Sequence, residues 1–86
     1  MTPAELEAAA LAWAKEHGFT GHRLPAGVPC AAGSCPLARA TEFVVSPVDA
    51  YHPRYGNVDL PVPVQRFVYA FDRGEMPERL YDRSPR

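Results

Sequence analysis

"LPVPVQRFVYAFDRGEMP", residues 60–77, predicts a helix whose two ends and buried face are all marked by residue type. Pro61 suits the first helical position, and Pro63 is tolerated two residues later, because the first N–H groups of a helix have no intrahelical partner. Gly74 is suited to ending the helix, and Pro77 prevents its continuation. One face carries apolar side chains at i, i+3, i+4 and i+7, the spacing of a buried helical stripe: Val64, Phe67, Val68 and Phe71.

A second long helix is predicted at the start of the chain, where the sequence reads TPAELEAAALAWAKEHG. Thr2 at the N-cap and Glu5 three residues later form the pattern of a capping box. Gly18 can adopt the left-handed conformation that commonly ends a helix. Leu6 and Trp13 lie on one face, so we expect this helix to pack through them.

The middle of the chain predicts a loop, a short helix and a small antiparallel hairpin. Residues 20–34 are rich in Gly, Pro and small residues, which oppose regular structure. "CPLARA", residues 35–40, predicts a short helix that begins at Pro36 and is capped by Cys35 or Ser34. "TEFVVSPVDAY", residues 41–51, predicts one strand that lies at an edge or bulges at Pro47, which cannot donate to a ladder. The turn residues that follow predict a hairpin with a second short strand.

Together these elements predict one α+β domain over residues 1–80, with residues 81–86 as a frayed tail. The domain contains two main helices and one short helix packed on a small antiparallel β-hairpin. Leu80 and Tyr81 are apolar enough to pack back onto it. The predicted core is formed by Leu6, Trp13, Leu37, Phe43, Val45, Val64, Phe67, Val68 and Phe71.

The charge and composition of the chain argue against nucleic acid and membranes as partners. The 86 residues carry a net charge of −1, which gives no global field to attract nucleic acid. No run of about 18 apolar residues occurs, so no membrane span is expected. The N-terminal segment lacks the basic region of an export signal. Two cysteines without such a signal favour the cytoplasm, where thiols stay reduced.

The two cysteines admit three interpretations. Cys30 and Cys35, with His17 and His22, supply residue types that bind zinc, although the spacing does not match a zinc knuckle. Alternatively, Cys35 at a helix N-terminus could have a lowered pKa and act as a redox thiol. The simplest interpretation makes Cys35 a small residue that starts a helix, with Cys30 packed beside it. On that interpretation no cofactor is expected.

Tyrosine and arginine supply the remaining functional hypothesis. The chain has more aromatic and apolar residues than a small core needs, and Tyr with Arg is typical of protein-binding surfaces. No catalytic motif accompanies them, so we expect a non-enzymatic binding protein whose partner is another protein or a second copy of the chain. The candidate contact residues are Tyr55, Tyr69, Tyr51 and Arg66.

Two of these stretches, CPLARA and LPVPVQRFVYAFDRGEMP, resemble patterns in short uncharacterised proteins encoded by actinobacteria and by their bacteriophages. The order of parts is similar as well, from the N-terminal helix to a helix that ends in Phe-Asp-x-Gly. The resemblance covers about residues 4 to 80 and brings no activity with it. It implies a small phage-encoded accessory protein that acts on a host protein in the bacterial cytoplasm.

Overall fold

A computed structural model describes residues 1–82 of the chain. The predicted α+β class and the two main helices are confirmed. Within the described range no helix is long and apolar enough to cross a membrane. The elements, in chain order, are α1 Pro3–Glu16, α2 Pro36–Thr41, β1 Val44–Val45, β2 Asp49–His52, β3 Gly56–Asp59, α3 Val62–Asp72 and a 3₁₀ turn Glu78–Leu80.

The ends of α1 follow the sequence pattern. The Thr2 hydroxyl accepts a hydrogen bond from the Glu5 backbone N–H at 3.2 Å, and the Glu5 carboxylate accepts one from the Thr2 N–H at 2.8 Å. These reciprocal bonds are the predicted capping box. After the helix, Gly18 has φ of +101°, a left-handed conformation that costs glycine little.

Helix α3 begins one residue later than predicted. Pro61 is extended and serves as the N-cap, so Val62 rather than Pro61 is the first helical residue. The Pro61 carbonyl accepts the first hydrogen bonds of the helix, from the N–H groups of Val64 and Gln65. The Gln65 side-chain amide also donates to the Leu60 carbonyl at 2.7 Å. These bonds join the start of α3 firmly to the end of β3.

The sheet has one strand more than the predicted hairpin. Its order is β1-β2-β3, and both pairs are antiparallel. The predicted single strand over residues 41–51 is wrong, because the chain reverses at Pro47 instead of passing through it. The Ser46 N–H donates to the Asp49 carbonyl at 2.8 Å, which closes this turn. A proline that cannot join a ladder is accommodated more easily in a turn than in a strand.

The core lies between α1, α3 and the inner face of the sheet. All nine predicted core residues are buried. The Trp13 ring stacks on His17 and meets the Phe43 ring edge-on, with centroids 5.8 Å apart. Its Nε1–H has no hydrogen-bond partner in residues 1–82, a cost of about 1–3 kcal/mol for a buried donor. Buried side chains beyond these nine include Leu60, Met76 and Leu80.

The C-terminal segment docks on the domain through Leu80 and Tyr81, the two residues that are apolar enough to pack back onto it. Leu80 is fully buried, and the Tyr81 ring stacks on Phe71 with centroids 4.5 Å apart. The Tyr81 hydroxyl donates to the Phe71 carbonyl at 2.8 Å, and the Asp82 N–H donates to the Gly27 carbonyl at 2.8 Å. The expected frayed tail therefore does not begin at residue 81. Residues 83–86 lie outside the described part of the chain.

Candidate functional site

The outward face of α3 is apolar and basic. Val62, Arg66 and Tyr69 follow each other at helical spacing, opposite the buried stripe. Tyr69 is 57% exposed and Val62 is 58% exposed. The Arg73 guanidinium lies 5.3 Å from the centre of the Tyr69 ring and donates to its hydroxyl at 3.3 Å. This contact holds the exposed ring in a defined place on the helix.

A groove runs between this face of α3 and the turn that joins β1 to β2. It encloses about 300 Å³, and we call it the α3 groove. Its apolar lining comes from Pro47, Val48 and Tyr69, of which Val48 is 62% exposed, and Gln65 and Arg66 add polar groups. The lining residues are Pro47, Val48, Gln65, Arg66 and Tyr69.

Hydrogen bonds from Ser46 fix the turn that presents Val48. The Ser46 hydroxyl donates to the Asp49 carboxylate at 2.6 Å and accepts from the Asp49 N–H at 3.2 Å. The Leu60 N–H donates to the Val48 carbonyl at 3.2 Å, which joins the turn to the segment leading into α3. Both walls of the groove are thus held by backbone bonds rather than by side-chain contacts alone.

Two acidic residues face each other in the sheet directly after the β1–β2 turn. Asp49 directly precedes Ala50 in β2 and is paired with Asp59 of β3 in the antiparallel register. Residues directly opposite in a sheet project from the same face, so the two carboxylates are close neighbours. Asp59 is exposed and has no ion pair with any residue between 1 and 82. Arg66, on the helical wall, has none within the same range.

A second concave surface, the aromatic cleft, lies where α1 and α2 end near the β2–β3 turn. It encloses about 460 Å³. The Phe43 ring contacts the rings of His17, His52 and Tyr55, with centroids 5.5, 5.0 and 6.3 Å away. Its rim carries Arg54, which is exposed. The cleft therefore combines stacked rings with a cationic edge.

Backbone groups orient both imidazoles of the aromatic cleft. His17 Nδ1 lies 2.8 Å from the Trp13 carbonyl, which can only accept, so Nδ1 carries the proton in the neutral ring. His52 Nδ1 accepts from the Arg54 N–H at 3.0 Å, so its neutral ring carries the proton on Nε2. Neither ring is hydrogen-bonded to a carboxylate of the described residues. The arrangement thus lacks the carboxylate that orients a catalytic histidine in a triad.

The cysteines occupy two different environments. Cys35 is the N-cap of α2, and its sulfur accepts from the Ala38 N–H at 3.4 Å. Burial raises the pKa of this thiol, so the lowered pKa considered for a helix N-terminus is wrong. Cys30 is exposed rather than packed in the core, and its N–H donates to the Asp72 carboxylate at 2.9 Å. Both cysteines line a pocket of about 160 Å³ beside Val68.

The four residues of the zinc alternative are not brought together. His17 belongs to the aromatic cleft, His22 is exposed in the long loop, and the cysteines lie beside α3. Within residues 1–82, no three His, Cys, Asp or Glu side chains are grouped closely enough to hold a metal ion.

The predicted contact residues fall into separate regions. Tyr69 and Arg66 share the α3 groove, and Tyr55 lies in the aromatic cleft. Tyr51 is on the outer face of the sheet, opposite Val44. Sequence reasoning missed Val48 as a contact residue, since it was placed in a strand. The Ser-Pro pair directly before it is the turn signal that could have exposed it.

Comparison with known proteins finds no protein-family model, no curated protein and no solved structure that matches this chain.

Proposed function

We propose that this chain is a small non-enzymatic protein that binds another protein through the α3 groove. The observation that carries the proposal is the convergence of Val48, Tyr69 and Arg66 from two separate elements on one open, mainly apolar groove. Tyr and Arg are enriched at the centres of protein interfaces. An exposed apolar patch with a polar rim is a common mark of such a surface.

The exposed side chains of the groove contribute little to the stability of the fold. A binding role therefore explains their apolar character better than a structural role does. Val48 and Tyr69 are both more than half exposed, so the folded monomer gains little from their apolar surface. A partner that covered them would gain that surface instead. A tyrosine at the centre of an interface typically contributes about 2 kcal/mol or more when measured by truncation.

The other chemical groups of the chain support binding over catalysis. Both imidazoles of the aromatic cleft are bonded to backbone groups, and the buried Cys35 thiol has a raised pKa that opposes formation of the reactive thiolate. In the phage setting that the resemblance implies, the protein acts in the host cytoplasm. Two protein occupants then fit the groove, a host protein and a second copy of the chain.

A pair of tyrosine substitutions tests this proposal. Tyr69→Ala removes the aromatic wall of the α3 groove, whereas Tyr55→Ala removes a similarly exposed ring from the aromatic cleft. We expect Tyr69→Ala to lose self-association in sedimentation, or a protein captured from host lysate, while Tyr55→Ala keeps it. Tyr69→Ala should change the free energy of unfolding by less than about 0.5 kcal/mol, as is usual for a surface substitution. If both variants behave as the unsubstituted protein does in both assays, the proposal is wrong.

A further inference from the structure

The charge of the α3 groove comes from a single residue. Of the described residues that line the groove, only Arg66 carries a formal charge. Its guanidinium is exposed and forms no ion pair with any residue in the range 1–82. The acidic pair Asp49 and Asp59 lies in the sheet and does not belong to the lining. Within the described part of the chain, the groove therefore presents one unpaired cation beside an apolar surface.

The apolar lining around this cation is held in place before any partner arrives. The Tyr69 ring is fixed by Arg73, whose guanidinium lies 5.3 Å from the ring centre and donates to the hydroxyl at 3.3 Å. The Leu60 N–H donates to the Val48 carbonyl at 3.2 Å and so joins the opposite wall to the start of α3. Binding to a preformed surface loses less conformational entropy than binding to a mobile one.

A second copy of the chain complements this groove poorly. In an isologous dimer the same patch of each chain packs on itself across a two-fold axis. Two α3 grooves joined in this way would each bring a cation and no anion to the interface. Like charges across an interface oppose association and exclude a wrong partner. The occupant that complements the groove is one that brings an anion together with apolar surface.

We infer that the α3 groove binds a segment of a different protein in which an aspartate or glutamate lies next to a large apolar side chain. The carboxylate pairs with Arg66, because a planar guanidinium matches a carboxylate through two parallel hydrogen bonds. The apolar side chain packs between Val48 and Tyr69. A volume of about 300 Å³ is at the lower end of the range for binding pockets, so the groove receives side chains rather than a whole helix. This inference rests on the proposed binding role of the groove.

Selection from a library of random peptides tests the chemistry of the partner. Displayed peptides are selected on the immobilised full chain, and peptides that also bind Tyr69→Ala are removed, so that those retained depend on the groove. We expect the enriched peptides to share an Asp or Glu next to an aromatic or large aliphatic residue. Enrichment of peptides without an acidic residue, or no enrichment at all, overturns the inference.

Charge exchange with one enriched peptide tests the role of Arg66. In fluorescence polarisation, Arg66→Glu should weaken binding of the peptide about tenfold or more, because the change sets two carboxylates face to face. A second peptide, with lysine in place of its acidic residue, should bind Arg66→Glu more tightly than it binds the unsubstituted chain. Arg54→Glu, the matched change at the rim of the aromatic cleft, should leave binding of the first peptide unchanged.

The outcomes separate this inference from the proposed function. Groove-dependent peptides that are insensitive to Arg66→Glu overturn the acidic partner, and so does a weakening that the lysine peptide does not reverse. A dimer in sedimentation that is lost in Tyr69→Ala would put a second copy in the groove and would also overturn it. The proposed function fails only when Tyr69→Ala changes neither self-association nor capture of a protein. Circular dichroism checks that every variant is folded.

Discussion

Gly27→Ala should destabilise the protein severely, although Gly27 lies in a loop outside the helices and the sheet. The residue is buried between the start of α2 and the C-terminal segment. Its N–H donates to the Leu80 carbonyl at 2.8 Å, and its carbonyl accepts from the Asp82 N–H at 2.8 Å. A Cβ added at Gly27 would lie 2.5 Å from the backbone oxygen of Ser34 and 2.5 Å from the backbone nitrogen of Pro36. These neighbours are backbone atoms, so no rotation of a side chain can remove the clash.

The size of the effect follows from these contacts. The lower limit of an ordinary contact is 3.4 Å, so the segments must separate by about 0.9 Å. Overpacking of a well-packed site costs about 1–3 kcal/mol, and weakening two backbone hydrogen bonds adds about 1 kcal/mol for each. We therefore expect Gly27→Ala to lower the free energy of unfolding by about 3–5 kcal/mol, a large part of the 5–15 kcal/mol typical of a folded domain.

Gly33→Ala is the matched control. A Cβ at Gly33 meets no atom within 4 Å, and its φ is not in the left-handed region. Because alanine restricts the unfolded chain, this variant should be unchanged or stabilised by about 0.4–1 kcal/mol. Urea unfolding followed by Trp13 fluorescence measures both variants. A loss below about 1 kcal/mol for Gly27→Ala would refute the reasoning, since it would mean that the loop moves aside without a packing cost.

Three further substitutions and one labelling experiment test the core and the cysteines. Phe71→Ala should lower the free energy of unfolding by about 3–5 kcal/mol because the Phe71 ring is almost fully buried. Val62→Ala, on the exposed face of α3, should change it by less than about 0.5 kcal/mol. Equal losses for the two variants in urea unfolding would show that the buried face of α3 is assigned wrongly. In the native protein a thiol reagent should label Cys35 far more slowly than Cys30, and equal rates by mass spectrometry would contradict the burial of Cys35. Folding raises the pKa of the Cys35 thiol above its ordinary value of 9.0. The stability that this thiol contributes is therefore fully present below pH 9.0 and is lost as the pH rises through the pKa of the folded state. Cys35→Ser should reduce this loss of stability at high pH.

The helices and the core could be predicted because their signals are local. The capping box of Thr2 and Glu5 lies within four residues, and the stripe of α3 repeats within two turns. A residue on such a stripe is buried whichever element packs against it. The exposure of Tyr69 and Arg66 was predictable for the same reason, since both lie on α3 outside the stripe.

The sheet and the groove depend on contacts between distant residues, which no local pattern specifies. Pro47 is compatible with an edge strand, a bulge or a turn, and the Ser46 bonds to Asp49 that select the turn form only with the correct pairing of β1 and β2. Val48 lies in the groove with Tyr69 only because the β1–β2 turn forms. The residues of α3 that line the groove were thus identifiable, but their opposite wall was not.

The long loop between α1 and α2 is part of the folded framework despite its irregular backbone. Its polar groups are bonded to three other parts of the chain: Gly27 to the C-terminal segment, Cys30 to Asp72 at the end of α3, and Ala32 to Val45 of β1. A further bond, from the Val28 N–H to the Ser34 carbonyl, closes the loop on itself. Loops are normally the most tolerant part of a domain because their backbone is solvated. Here the loop backbone replaces solvent with hydrogen bonds to these elements. A substitution that moves the loop should therefore disturb α3 and β1 together, and with them both walls of the α3 groove.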